Sequence, residues 1–297
     1  MSSIFPRLWV VATPIGNRGD VSQRSRDVLG TVEVILAEDT RQAGRLCQEL
    51  GLEGKRFLSL FEHNEQARIE QVLGLLEQGH SLALISGAGS PVISDPGYQL
   101  VRACRQAGYR VSPVPGPSAP IAALMVCGLP PIPFTFLGFL PRKDGEKRKL
   151  LAGFRGLAST LVFFERKSRL DETLKLAHDE LGPREVCLAR ELTKRHEELI
   201  HFHLGQWERL PETPRGEFTV VIAPADKVHR AATPESDVRR LLEEGFQRGG
   251  SPRSTVREVQ SLTEGWTGKE LYELSLRIKE SGDRSGRGSG PGGSDET

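Results

Sequence analysis

Leu82-Ala83-Leu84-Ile85-Ser86-Gly87-Ala88-Gly89-Ser90-Pro91 is the stretch that decides the fold class. Four apolar residues in succession leave no polar face. A strand built from them must be covered on both sides, as in a parallel sheet sandwiched between helices. The Gly/Ser/Pro run behind it ends the strand at once. Its glycines permit close backbone approach and its proline fixes φ and removes a donor, so the loop is rigid with its remaining N–H groups free for a ligand. Outward from this stretch the pattern recurs. Residues 8–12, 34–37, 57–60 and 111–114 read as strands of the same kind, and 22–31, 41–50, 65–78 and 98–108 carry apolar residues at helical spacing. Such alternation predicts an α/β fold whose ligands sit outside the carboxyl ends of the strands, at loops 13–17, 38–41, 86–97 and 115–118.

A second α/β segment follows, with strands over 134–138, 160–164, 185–189, 199–203 and 218–222 and fewer long helices, which points to a mixed sheet. Ser168 and Asp171 have the spacing of a capping box opening a helix over 169–181. A polar linker at 224–234 precedes three short helices (235–245, 255–262 and 269–280) around a Gly-Gly-Ser-Pro turn, the size of a helix-turn-helix module. The expected division is 1–117, 118–225, 234–280 and a Gly/Ser-rich tail, 281–297, of disordered composition.

The chain has 297 residues, 37% hydrophobic and 27% charged, with a formal net charge of +1. No apolar run approaches the roughly 20 residues of a membrane helix, and no secretory pattern is visible, so a cytoplasmic protein without membrane association is expected. Cys47, Cys104, Cys127 and Cys187 are scattered, which argues for reduced core thiols and against a metal site. Gly87-Ala88-Gly89 begins like a dinucleotide fingerprint, but Val92 stands at the third glycine position and no acidic residue follows at the ribose spacing. No P-loop, HExxH or Gly-x-Ser-x-Gly motif is present.

Glu38-Asp39-Thr40-Arg41 is the densest polar cluster at a strand end. One cap explains one of these residues and not the set, so paired carboxylates and a guanidinium facing a cleft are expected. His63-Asn64 follows the third strand, Asn64 as the cap of the next helix and His63 facing the site. Lys194, with Arg190 and Glu191, follows the strand at 185–189. Arg142-Lys143 and Lys147-Arg148-Lys149 in the second half, and Arg253 and Arg257 in the helical module, suit phosphate contacts.

Eight motifs occur in order: residues 12–17 (Ala-Thr-Pro-Ile-Gly-Asn), 37–41 (Ala-Glu-Asp-Thr-Arg), 62–65 (Glu-His-Asn-Glu), 93–97 (Ile-Ser-Asp-Pro-Gly), 115–119 (Pro-Gly-Pro-Ser-Ala), 138–143 (Gly-Phe-Leu-Pro-Arg-Lys), 189–194 (Ala-Arg-Glu-Leu-Thr-Lys) and 216–218 (Gly-Glu-Phe). Together they resemble the ribosomal RNA small-subunit methyltransferase I family, within the tetrapyrrole-methylase fold, over roughly residues 7–280. The resemblance implies two α/β domains with S-adenosylmethionine in the cleft between them and a small C-terminal helical module. It implies 2′-O-methylation of a cytidine in the decoding region of 16S rRNA or the small ribosomal subunit, by a homodimer without a metal. By motif position, cofactor contacts fall on Pro14, Ser86, Gly87, Ala88, Gly89, Ile93, Ser118, Ala119, Phe163 and Ala189. Asp39 and His63 are the candidate bases, Lys194 and Arg41 the candidate stabilisers of the oxyanion, and Arg142, Lys143, Lys147, Arg148, Arg253 and Arg257 the expected RNA contacts. Two departures stand out: Gly87 replaces the family's usual aspartate, and Arg166-Lys167-Ser168 replaces its Ser-Pro-His. A tetrapyrrole substrate, or an RNA-binding assembly factor with a decayed cofactor site at Gly87, are the alternatives.

Overall fold

The computed structural model describes residues 7–61, 63–209, 216–225, 233–263 and 265–285. Met1–Ala225 form one compact unit and Asp226–Thr297 a second. In the first unit, β1 (Arg7–Val11), β2 (Val34–Ala37), β3 (Arg56–Ser59), β4 (Leu82–Ile85) and β5 (Arg110–Val114) make a parallel sheet in the order β3-β2-β4-β1-β5. Alternate residues feed two cores, as the strand period of two requires. Leu8, Leu36, Leu58, Leu82 and Leu84 meet α3 (Glu65–Glu77) and α4 (Tyr98–Gln106) on one face. Val11, Ile35, Ala37, Ala83 and Ile85 meet α1 (Gln23–Thr31) and α2 (Thr40–Glu49) on the other. The two-sided covering expected of these apolar runs is present.

The second sheet carries β6 (Phe134–Phe139), β7 (Thr160–Arg166), β8 (Glu185–Arg190), β9 (Glu198–His203) and β10 (Glu217–Ile222), in the order β6-β7-β10-β8-β9. Only β6 and β7 run parallel; the other pairs are antiparallel, so the sheet is mixed. Leu161, Phe163, Val186, Leu188, Phe218, Val220 and Ile222 pack under α6 (Asp144–Ala152) and α7 (Lys167–Leu181). The opposite face, with Val162, Cys187, Ala189 and Val221, packs on α5 (Ala119–Val126) and on Ile15 from the loop after β1.

Helices α5 and α6 have no helical signature in the sequence. α5 reads Ala-Pro-Ile-Ala-Ala-Leu-Met-Val and is apolar nearly all round, so no periodicity marks it. α6 looks like a charge run, yet Lys147, Leu150 and Leu151 share one face of it. Two expected caps are also replaced. Arg166 precedes α7 without a side-chain cap, so Ser168 lies inside the helix, and Asp171 pairs with Lys167 at 3.7 Å. The start is fixed instead by buried Glu165, which accepts from Arg166 N–H and from the Thr173 hydroxyl. Asn64 likewise leaves α3 uncapped, because its side chain accepts from Phe61 N–H and donates to the Ser59 carbonyl.

In the second unit, α8 (Glu235–Gln247), α9 (Pro252–Leu262) and α10 (Gly268–Ser285) enclose a core of Val238, Leu242, Val256, Val259, Leu271, Leu274 and Ile278. Ser251 caps α9 through Ser254 N–H. α10 continues to Ser285, past the expected start of the tail at 281; residues 286–297 lie outside the described residues. All four cysteines are buried and free. Burial pushes the Cys104 thiol up to about 11 and Cys187 up to about 12, the latter aided by Cys127. Among the described residues no helix is long and apolar enough to cross a membrane.

Candidate functional site

In the first sheet the chain leaves β1 for α1 on one face and leaves the neighbouring β4 for α4 on the other. That divergence makes a topological switch point, and in open α/β sheets the crevice there receives the ligand. The loops around it are knitted by backbone bonds. Thr13 and Gly89 exchange N–H···O bonds of 2.9 and 3.1 Å. The Ser86 hydroxyl donates to the Gly89 carbonyl at 2.8 Å, and Ser90 reaches the Pro117 carbonyl at 3.3 Å. Beyond Gly89 the loop carries Val92 and Ser94 at φ of 75° and 66°, conformations that cost a β-branched or bulky residue energy and are held only where the surroundings dictate them.

A cavity of about 360 Å³ opens beside this crevice, lined by Thr13, Pro14, Asp39, Gln42, Ser86–Ala88 and Lys194 among others. Two of the four candidate catalytic residues, Asp39 and Lys194, therefore share one cavity. Arg41 and His63 are exposed and do not line it. Asp39 is the N-cap of α2, accepting from Arg41 N–H at 2.9 Å and Gln42 N–H at 3.3 Å. Those bonds, Gln42 first and Arg41 next, hold its carboxyl below the usual range, with the Arg41 guanidinium adding to the effect. Lys194 pairs with Glu191 at 2.9 Å. Its loop crosses the β1 loop where Gly16 stands: a Cβ on Gly16 would lie 2.5 Å from Lys194 Cγ and 2.9 Å from the Leu192 carbonyl. Only a glycine lets the two loops touch, and Asn17 N–H donates to Thr193 Oγ1 across the contact.

Of the expected cofactor residues, Pro14, Ser86, Gly87 and Ala88 line this cavity. Ile93 is exposed, and Ser118 opens α5. Ala189 is buried on the face shared with Ile15, whereas the Phe163 side chain is fully buried on the opposite face, under α6 and α7. Phe163 therefore offers the cleft no side-chain contact, since residues on that side of β7 alternate with it. A Cβ on Gly87 would come within 3.0 Å of Gln42 Oε1, so Gln42 stands over the position left bare by the missing carboxylate.

These loops hold one further carboxyl. Asp95, between the strained Ser94 and Pro96, has its pKa raised to about 6 by burial and by the neighbouring charge of Glu38. Its only sequence signal was membership of the fourth motif. Among the basic residues, Arg142 and Lys143 are exposed, and Arg253 and Arg257 are exposed with no ion pair among the described residues. Lys147 is instead completely buried, 3.4 Å from Asp144, because it stands one helical turn before buried Leu151, on the inner face of α6. It presents nothing to a phosphate. Arg148 is held by Asp179 and Glu180 at 3.2 and 3.1 Å. A separate depression lined by Arg105 and residues 108–111 lies at the amino end of β5, away from these loops.

Residues 7–208 match the family model described as Tetrapyrrole (Corrin/Porphyrin) Methylases. Among solved structures, the methyltransferase CobJ is similar with a TM-score of 0.59 and 19% identity, covering 77% of this chain and 96% of that one. Diphthine synthase is similar with a TM-score of 0.57 and 15% identity, covering 73% and 89%. At such identities the likeness concerns the fold. Closer relatives carry the name ribosomal RNA small subunit methyltransferase I. One from Micromonospora olivasterospora is 40% identical, covering 89% of this chain and 86% of its own. One from Escherichia coli O157:H7 is 42% identical, covering 79% and 83%, and one from Vibrio cholerae is 47% identical, covering 68% and 70%. With the switch-point crevice, the mixed second sheet and identity on this scale over most of its length, the chain belongs to the ribosomal RNA small subunit methyltransferase I family of tetrapyrrole-methylase fold.

Proposed function

We propose that the protein transfers a methyl group from S-adenosylmethionine to a cytidine ribose 2′-hydroxyl in the decoding region of 16S rRNA, acting as a cytoplasmic homodimer without a metal. The observation that carries this reading is the gathering of the loops after β1, β2 and β4, together with Lys194 from the loop after β8, around one crevice. The residues present suit such a cofactor. Thr13 occupies the Gly89 N–H and carbonyl and so fixes the loop, while Gly87 and Ala88 line the cavity with side chains too small to screen their backbone groups, which suits a nucleoside held by main-chain hydrogen bonds. Ile93, Ser118, Ala119, Ala189 and the backbone of Phe163 complete the proposed contacts.

When bound, the cofactor supplies the electrophilic methyl group. The chain's task is to hold the hydroxyl oxygen in line with it, an orientation effect of roughly 7–11 kcal/mol. Asp39, ionised at neutral pH, takes the hydroxyl proton or orients the hydroxyl. Lys194 stabilises the developing alkoxide, and Arg41 and His63 act only if their loops close on bound RNA. A depressed pKa makes Asp39 a weak base, so its share lies at the low end of general-base catalysis. Arg142, Lys143 and the module's Arg253 and Arg257 bind the RNA backbone. Exposed Ile121, Met125 and Val126 on α5, with Ile132, offer an apolar stripe for the second copy.

The test is to incubate the protein with radiolabelled S-adenosylmethionine, EDTA and small ribosomal subunits, then digest the rRNA to nucleosides. Label is expected in 2′-O-methylcytidine. Label on a base, or on an added tetrapyrrole and not on RNA, defeats the reading. Failure to bind the cofactor by calorimetry supports an assembly factor instead.

A further inference from the structure

The carboxyl ends of β6 and β7 carry an aromatic cluster that the cavity and its loops do not use. Phe136 and Phe164 meet edge to face, with centroids 5.2 Å apart, and Phe139 lies 5.3 Å from Phe164. Phe164 alternates with Phe163, so it points to the face of Val162, Phe136 and Ile15, which is the crevice side. Phe139 joins it there through an extra residue in β6, a bulge between Phe136 and Phe139. The bulge is fixed from outside. Gly138 adopts φ of 64°, and a Cβ on it would sit 2.9 Å from the Ser94 hydroxyl, so β6 is pressed against the strained loop that holds Ile93 and Asp95. It is also fixed from behind. Arg169 donates to the Leu140 and Pro141 carbonyls and lies 3.4 Å from buried Glu165, which anchors the chain just after Phe139.

An aromatic ring so firmly placed is ordinarily covered, yet Phe139 is 43% exposed. Cations border it. The Arg166 guanidinium, which also pairs with Glu217 at 3.4 Å, lies 5.9 Å from the Phe139 centroid, and exposed Arg142 and Lys143, the latter 3.2 Å from Glu146, follow within four residues. Exposed rings bordered by guanidinium and ammonium groups suit unstacked bases, whose π faces stack on the ring while their phosphates meet the cations. The segment that carries the apolar stripe on α5, residues 115–134, contains no Lys or Arg, and a second copy of the chain suits it better.

We propose that Phe139, backed by Phe164 and flanked by Arg166, is a stacking platform for one unpaired base of a single-stranded RNA segment. The proposal rests on the RNA-methyltransferase reading and gives that substrate a foothold beside the cofactor loops. A base inside a duplex cannot reach such a ring, so the platform selects RNA whose target region is already open or is splayed on binding.

The experiment titrates the full chain, Phe139→Ala and Phe139→Trp into a short labelled single-stranded oligoribonucleotide, followed by fluorescence anisotropy. Phe139→Ala is expected to weaken binding about 5- to 150-fold, the range for losing one base–aromatic stack, and Phe139→Trp to keep it. Affinity for S-adenosylhomocysteine and the sedimentation mass are expected to stay unchanged in both. Undiminished RNA affinity in Phe139→Ala overturns the platform. So does a selective loss of S-adenosylhomocysteine affinity, which assigns the ring to the cofactor's adenine, or a change of mass, which assigns it to a second copy. If the unaltered protein binds S-adenosylhomocysteine but neither the oligonucleotide nor small ribosomal subunits, the RNA-substrate reading falls together with the platform; if it binds the subunits but not the oligonucleotide, the platform alone falls. If it binds RNA and the alanine variant binds equally well, the platform alone falls.

Discussion

Asp39 caps α2 and, in the proposed reaction, also faces the hydroxyl. Its two bonds to backbone N–H groups require only an acceptor oxygen, which asparagine also supplies. Asp39→Asn should therefore fold normally while losing the charge, and methyl transfer at saturating substrates is expected to fall about 10²-fold. Unchanged turnover would remove Asp39 from the reaction. The folded pKa of Asp39 is lowered, so its contribution to stability is present above the ordinary carboxylate pKa of about 4 and is lost only as pH falls through the lower folded value. Acid melts of the asparagine variant should accordingly lack part of the parent's loss of Tm below about pH 4. Gly16 makes a second test. An alanine there collides with Lys194 Cγ and the Leu192 carbonyl, so Gly16→Ala is expected to cost about 1–3 kcal/mol in urea unfolding and to depress kcat as Lys194→Ala does. A variant with wild-type stability and turnover would show that the two loops need not touch. A cap at Asp39 or Thr40 was legible in the sequence, and Asp39 takes it even though the Arg41 guanidinium also lies 3.6 Å from its carboxylate. The caps proposed at Asn64 and Ser168 were not, because a cap motif specifies spacing alone, and Ser59, Phe61 and Glu165 compete for the same groups.

Among elements, strands announced themselves better than helices. Short apolar runs of four or five residues rich in Val, Leu, Ile and Phe read as strands, so the ten strands among the described residues were legible nearly to their ends. α5 was hidden by its uniform apolarity and α6 by its charge. The case of α6 bears directly on function, since Lys147 was expected to meet RNA and is buried beside Leu151. Lys147→Met keeps the aliphatic stem and removes a buried ammonium with one long ion pair. It is expected to leave RNA affinity unchanged and shift stability by no more than about 1 kcal/mol, since a buried pair often contributes little beyond its own desolvation. Lys143→Ala, on the exposed start of the same helix, is expected to weaken RNA binding measurably. If Lys147→Met weakens binding as much, the helix must open when RNA arrives. The bulge in β6 and the positive φ of Val92 and Ser94 could not be read from sequence, because each is imposed by the loop pressed against it.

At the level of the whole molecule, a net charge of +1 conceals the segregation of charge that RNA binding needs. Arg253 and Arg257 on α9 have no carboxylate partner among the described residues, unlike Arg239 and Arg240 on α8, which pair with Glu235 and Glu244. If both free arginines contact phosphate, the double variant Arg253→Ala/Arg257→Ala should lower the slope of log K against log salt by about 1.8, at about 0.9 per contact on a duplex. Cofactor affinity should be untouched. An unaltered slope would leave the module a packing or assembly element. The core of the module lies on Val238, Leu242, Val259 and Leu271, so the surface arginines can be removed without disturbing it. The buried thiols carry one more consequence. Cys47 and Cys104 lie in the cores on either side of the first sheet, while Cys127 and Cys187 share a core of the second. Thiols shielded this way meet iodoacetamide only when their own layer opens. The order in which the four peptides become alkylated during slow urea exposure, read by mass spectrometry, is thus a built-in clock recording which sheet loosens first.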